Sequence, residues 1–79
     1  MDYAQELNEL IQTALHENGS DIHISAGRHP AIRVAGQLIF LVTRKEYTNE
    51  DVLGVLGQLL NDDNKLQQFV ANLELDFSY

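Results

Sequence analysis

Gly19-Ser20-Asp21-Ile22-His23-Ile24-Ser25-Ala26-Gly27-Arg28-His29-Pro30-Ala31-Ile32-Arg33-Val34-Ala35-Gly36 is the stretch on which the fold turns. Ile22 and Ile24 alternate with Asp21, His23 and Ser25, the pattern of a strand with one buried and one solvated face. Ala26 to Pro30 reads as a turn. Ile32 and Val34 then alternate with Ala31, Arg33 and Ala35 as a second strand. Ala35-Gly36 falls where a tight hairpin turn belongs. Leu38-Ile39-Phe40-Leu41-Val42 follows as a third strand, apolar on both faces and so expected to be central or covered. Short connections make the three an antiparallel meander.

Before this stretch, Tyr3, Leu7, Leu10, Ile11, Ala14 and Leu15 recur at helical spacing. Asp2 is placed to cap the first turn, with Gln5 reaching back as in a capping box. Asn18-Gly19 tolerates the left-handed conformation that closes a helix. The spacing predicts a helix from about Tyr3 to Glu17. After the meander, Thr43 to Tyr47 is a polar connection. Thr48 caps a second helix, and Glu50 and Asp51 favour its dipole in the first turn. Val52, Val55, Leu56, Leu59 and Leu60 form its apolar face. Gly54 and Gly57 each cost about 1 kcal/mol against alanine in a helix interior, which points to close packing against a neighbour. Asn61-Asp62-Asp63-Asn64 breaks the pattern, Leu66, Phe69, Val70 and Leu73 predict a short third helix, and Leu75, Phe77 and Tyr79 alternate as a fourth strand.

The expected order is therefore α-β-β-β-α-α-β, an α+β fold with helices on one face of an antiparallel sheet. The alternation runs to Tyr79 without a turn or polar tail, so residues 1–79 are expected to be a single-domain fragment of a longer protein. Leu75-Asp76-Phe77-Ser78-Tyr79 would then leave an exposed edge through which the fragment self-associates.

Composition narrows the function. Seventy-nine residues, 44 % of them hydrophobic, make one small domain. No cysteine is present, so disulfide and thiolate chemistry are excluded. No apolar run approaches the roughly 20 residues of a membrane helix, and the acidic N-terminus is not a secretory signal, so a cytoplasmic location is expected. Twelve acids against five bases give a net charge of −7, which disfavours nucleic acid and anionic membranes as partners.

Several side-chain sets invite chemistry. Asp21, His23 and Ser25 share a strand face and supply acid, base and hydroxyl, but strand neighbours at i and i+2 are ~7 Å apart, against a bridging histidine. His16, His23 and His29 offer imidazoles without a recognisable metal spacing, and surface positions account for them. Asp62 and Asp63 lack the ligand pattern of a calcium loop. The glycines fit neither phosphate-binding motif, so the chain is not expected to cradle a nucleotide by itself in the P-loop manner. Arg33 sits on the solvated face of a strand, where its fork suits phosphate or carboxylate; a solvated arginine is the plainer account.

Gly19-Ser20-Asp21-Ile22-His23-Ile24-Ser25-Ala26-Gly27 and Pro30-Ala31-Ile32-Arg33-Val34-Ala35-Gly36 together resemble the signature of the secretion ATPases, approximately A/G-S-D-[LI]-H-[LI]-S-x-G-x-x-P-x-[IV]-R-[VI]-D-G. The serine and glycine after the histidine strand resemble the type IV pilus retraction (twitching motility) branch. Glu74-Leu75-Asp76-Phe77-Ser78-Tyr79 is similar to the same branch's E-x-D-F-S-[YF] segment. The resemblance runs essentially from end to end. It implies a PAS-like N-terminal domain whose ATPase domain is absent from this chain. It also implies a hexameric motor in which each N-terminal domain packs on the neighbouring subunit's ATPase domain. ATP and Mg would belong to the full-length protein, no cofactor or metal to the fragment, and catalysis to neither this chain nor its residues. The partners implied are other copies of the chain and the pilus machinery, at the cytoplasmic face of the inner membrane. By this resemblance Arg33 reaches a nucleotide in trans. Two departures stand out: Ala35 replaces the usual aspartate, at a cost of ~1 kcal/mol if its φ is positive, and Asn64 to Asn72 lacks the usual charged helix. The alternative reading is a stand-alone PAS-like sensor or interaction module, with a pocket between sheet and helices lined by Ile24, Val34, Phe40 and Leu56.

Overall fold

Helix α1 (Tyr3–His16) starts at Asp2, whose carboxylate accepts the Gln5 N–H at 3.1 Å. The structure, a computed structural model, describes residues 1–60, 74–78 and the backbone of 68–71. Gln5 does not complete the expected capping box; its side-chain amide donates to Glu9 one turn on. The helix closes where Asn18-Gly19 predicted. The Gly19 N–H donates to the Ala14 carbonyl at 2.7 Å, the Asn18 N–H donates to Leu15, and Asn18 takes a φ of 59°. Leu7, Leu10 and Ala14 are its buried face, while Leu15 is exposed.

Strands β1 (Asp21–Ser25), β2 (Ala31–Val34) and β3 (Gln37–Phe40), helix α2 (Asn49–Leu60), and strands β4 (Gln68–Ala71) and β5 (Glu74–Phe77) follow. The strands form one sheet in the order β3-β2-β1-β5-β4, with every pairing antiparallel. Ile22 and Ile24 of β1, Ile32 of β2, and Leu75 and Phe77 of β5 pack with Leu7, Leu10, Val52 and Val55 in one buried cluster. The fold is thus α+β, with both helices on one face of an antiparallel sheet.

Three expectations are corrected. Gln68–Ala71 is a strand, not part of a third helix. Phe69-Val70 is too short an apolar run for periodicity to separate helix from strand, and pairing with β5 decides it. Leu66 and Leu73 of that expected helix lie outside the described residues, as do Asn61 to Asn64 and Tyr79. Second, β3 is an edge strand rather than a central one, and Leu38, Ile39 and Phe40 are 42 %, 47 % and 45 % exposed. Third, β5 is not the exposed edge: it lies between β1 and β4, and its Leu75 and Phe77 are buried. Lateral order is not encoded in the period of a strand, so neither outcome was readable from alternation alone.

The connection from β3 to α2 is held by polar side chains. Arg44 donates through Nε and Nη2 to the two Glu6 oxygens at 3.0 and 2.7 Å, and through Nη2 to Glu9 at 2.7 Å. The buried Tyr47 hydroxyl donates to Glu6 as well. Its backbone exchanges hydrogen bonds with Gly27 and Arg28, which ties the connection to the β1–β2 turn. Thr48 and Asp51 close a capping box at the start of α2: the Thr48 N–H donates to Asp51, and the Asp51 N–H donates to the Thr48 hydroxyl. Asp51 is only 4 % exposed and also accepts from Tyr3 and Lys45. Burial pushes its pKa up, but these donors outweigh burial and hold it well below the usual carboxylate range.

The two helical glycines differ. A Cβ on Gly54 would lie 2.3 Å from the Tyr3 ring, whereas one on Gly57 meets nothing within 4 Å. The expectation of close packing therefore holds for Gly54 alone. Gly57→Ala is expected to stabilise by up to about 1 kcal/mol through helix propensity. Gly54→Ala should destabilise by about 1 kcal/mol or more, because overpacking displaces Tyr3 from Asp51. Chemical denaturation of the two variants checks the opposite signs.

Ala35 has a φ of 51° and Gly36 one of 80°, the two positive values of a type I′ hairpin turn. The alanine is strained there, as expected for a positive φ. Ala35→Asn should stabilise by roughly 0.5–1 kcal/mol, raising the melting temperature by a few degrees. An unchanged or lower melting temperature would contradict the strain.

Candidate functional site on the open face of the sheet

Alternation turns Asp21 and His23 away from the helices, and strand pairing adds neighbours from both sides. Asp21 lies across from Arg33 of β2, and His23 lies across from Ala31 of β2 and Asp76 of β5. The result is a compact polar group from three adjacent strands.

His23 Nε2 is 2.6 Å from Asp21 Oδ2 and 3.4 Å from Asp76 Oδ1. A carboxylate only accepts, so the short contact assigns a proton to Nε2, which donates to Asp21. Arg33 Nη2 then sits 3.3 Å from Nε2 as a neighbour rather than a donor, while Arg33 Nε lies 3.4 Å from Asp21 Oδ1. Arg33 Nη1 makes a long hydrogen bond, 3.4 Å, to the Gly36 carbonyl at the turn. The Ser20 hydroxyl donates to Asp21 at 2.6 Å. Burial pushes the Asp21 carboxyl up, but donors including Ser20 and His23 outweigh it and bring its pKa below the usual value. Burial and the neighbouring Asp21 raise Asp76.

The sequence-derived candidates separate. Asp21 and His23 do meet, their side chains closing the gap that the backbone leaves. Ser25 makes no hydrogen bond to His23 among the described residues. The three histidines do not form one set: His16 ends α1, and His29 Nδ1 donates to the Arg44 carbonyl at 2.7 Å. Arg33 is held by its own sheet, with its side chain 37 % exposed. Asp76 is the residue that sequence reasoning passed over. Its place in an alternating segment opposite the His23 strand was the available signal.

A groove of about 320 Å³ adjoins this group on the same face, lined among others by His23, Arg28, His29, Phe40, Glu74 and Asp76. The four residues expected to line one pocket between sheet and helices do not all line this groove. Ile24 and Phe40 line the observed groove, whereas Val34 and Leu56 pack against the core cluster. No glycine-rich phosphate-loop motif occurs in the sequence. No helix among the described residues is long and apolar enough to cross a membrane. No protein-family model and no curated protein matches the chain.

The two aspartates titrate with opposite signs. Asp76 has a folded pKa raised above its ordinary value of 3.8, so its contribution is complete below that pH and is lost as pH rises through the folded value. Asp21 has a lowered pKa, so its contribution is present above 3.8 and is lost as pH falls through the folded value. Asp76→Asn should therefore raise the melting temperature near neutral pH but not at strongly acidic pH, and Asp21→Asn should lower it near neutral pH. Thermal melts across that range test both signs.

Proposed function

We propose that this chain is the PAS-like N-terminal assembly and regulatory domain of a hexameric pilus-retraction ATPase of the secretion ATPase superfamily. One observation carries the reading. The two segments that resemble the family's signature, some fifty residues apart in sequence, are neighbouring strands: Ile22 pairs with Phe77, His23 with Asp76 and Ser25 with Glu74. A chance likeness in two separate segments has no reason to coincide with one strand pair.

In this reading the domain packs on the ATPase domain of the next subunit, and Arg33 extends from the sheet toward the nucleotide bound there. ATP and Mg belong to that other domain. The motor works at the cytoplasmic face of the inner membrane through the pilus machinery. The exposed apolar edge at Leu38, Ile39 and Phe40 suits a surface that another domain covers.

The test begins with the coding sequence after codon 79. A second domain with a P-loop is expected, and a reading frame that ends without one overturns the proposal. In the longer product, Arg33→Ala should lower ATP turnover at least about tenfold while the hexamer still forms, the direction known for arginines that act in trans. The 79-residue chain alone should hydrolyse ATP no faster than buffer; measurable turnover would contradict the assignment.

A further inference from the structure

The open face of the sheet carries a second chemistry, independent of the reading above. We propose that Asp21, His23 and Asp76 form a binding site for a divalent first-row transition-metal cation.

One ligand atom from each residue lies within 4.8 Å of the others. The His23 Nε2 distances to the two carboxylates are 2.6 and 3.4 Å. Ligands on a tetrahedral ion with ~2.1 Å bonds stand ~3.4 Å apart, and cis ligands on an octahedral ion ~3.0 Å, so small side-chain adjustments suffice. The ligands are placed by the sheet itself: Asp21 and His23 are i and i+2 on β1, and Asp76 is directly across on β5. No loop has to order around the ion.

The donor set selects the class of cation. Two carboxylates and one imidazole suit zinc, manganese, iron or nickel, and the imidazole sets them apart from the all-oxygen sites of magnesium and calcium. Three protein ligands leave coordination positions open, and the adjoining groove gives water access to them. Asp21 is oriented through its other oxygen, Oδ1, which accepts from Ser20 and faces Arg33 Nε. Oδ2 is thereby turned toward His23. The proton on Nε2 occupies the place of the metal, so binding requires the tautomer of the neutral imidazole that carries its proton on Nδ1. The Arg33 Nη2, now 3.3 Å from Nε2, has to withdraw; only long contacts of 3.4 Å to Asp21 and Gly36 hold its partly exposed side chain.

Isothermal titration of zinc chloride into the 79-residue chain should show one saturable site. His23→Ala and Asp76→Asn should weaken zinc binding at least about tenfold, with His16→Ala and His29→Ala unchanged. Should a ligand variant fail to fold, manganese added to wild-type protein decides the matter by NMR: the amide signals of Asp21, His23 and Asp76 should broaden first. Absence of saturable zinc binding, loss of binding in His29→Ala but not His23→Ala, or broadening centred elsewhere would each overturn the site. A reading frame that stops after codon 79 would leave this proposal standing.

Discussion

The pairing of β1 with β5 is the constraint on which the rest of the structure depends. It joins residues about fifty positions apart, and it makes β1 a fully flanked strand, with β2 on one side and β5 on the other. On the helix face, the pairing sets Ile22 beside Phe77 and Ile24 beside Leu75, all of them buried. On the open face, the same register sets His23 beside Asp76. A one-residue slip would send Leu75 and Phe77 to the open face and remove Asp76 from His23. Core and polar group are therefore specified by one register.

The charges are unevenly used. The chain has twelve acids and five bases, yet residues 26–45 contain no acid and four of the five bases. Three of those four have structural work: Arg44 clamps Glu6 and Glu9, Lys45 meets the buried Asp51, and Arg33 faces Asp21. A strongly acidic chain repels itself, and its few cations stand where carboxylates from distant segments converge. Arg44 matters most in this respect. It holds Glu6 below the usual carboxylate range, and Glu6 in turn takes the hydroxyl of the buried Tyr47. Removing Arg44 would leave a partly buried carboxylate facing a tyrosine alone.

What was legible in the sequence was local. The caps at Asp2 and Thr48, the closure at Asn18-Gly19, the alternation of β1 and β2 and the Ala35-Gly36 turn all follow from spacing within a few residues, where backbone sterics dominate. Lateral order was not legible. Five apolar residues from Leu38 to Val42 read as a covered strand, yet β3 is an edge, because alternation reports what a strand would bury and not who lies beside it. β4 was hidden for a related reason, since Phe69-Val70 fits either period. The burial of Asp51 came from the Tyr3 and Lys45 contacts, which join different elements. Of the polar group, Asp21, His23 and Arg33 stood out on β1 and β2, while Asp76 needed the β1–β5 pairing to acquire a role.

The open face poses an electrostatic problem that Arg33 solves only in part. Two carboxylates converge on one imidazole, and the guanidinium lies 3.4 Å from Asp21, on the side of the cluster away from Asp76. The opposite shifts of the two acids follow from their partners: burial pushes both up, but Ser20 and His23 donate to Asp21 and outweigh it, whereas at Asp76 the neighbouring Asp21 adds to burial. An Arg33 that extended toward a neighbouring subunit would take away the nearest positive charge and sharpen the conflict between Asp21 and Asp76. A proton on Asp76, or the proposed cation between the carboxylates and Nε2, would relieve that conflict. If both proposals hold, arginine extension and cation binding would favour one another, since each removes an obstacle to the other. If the proposed cation binds, the guanidinium, a proton and the metal ion would compete for one pair of carboxylates.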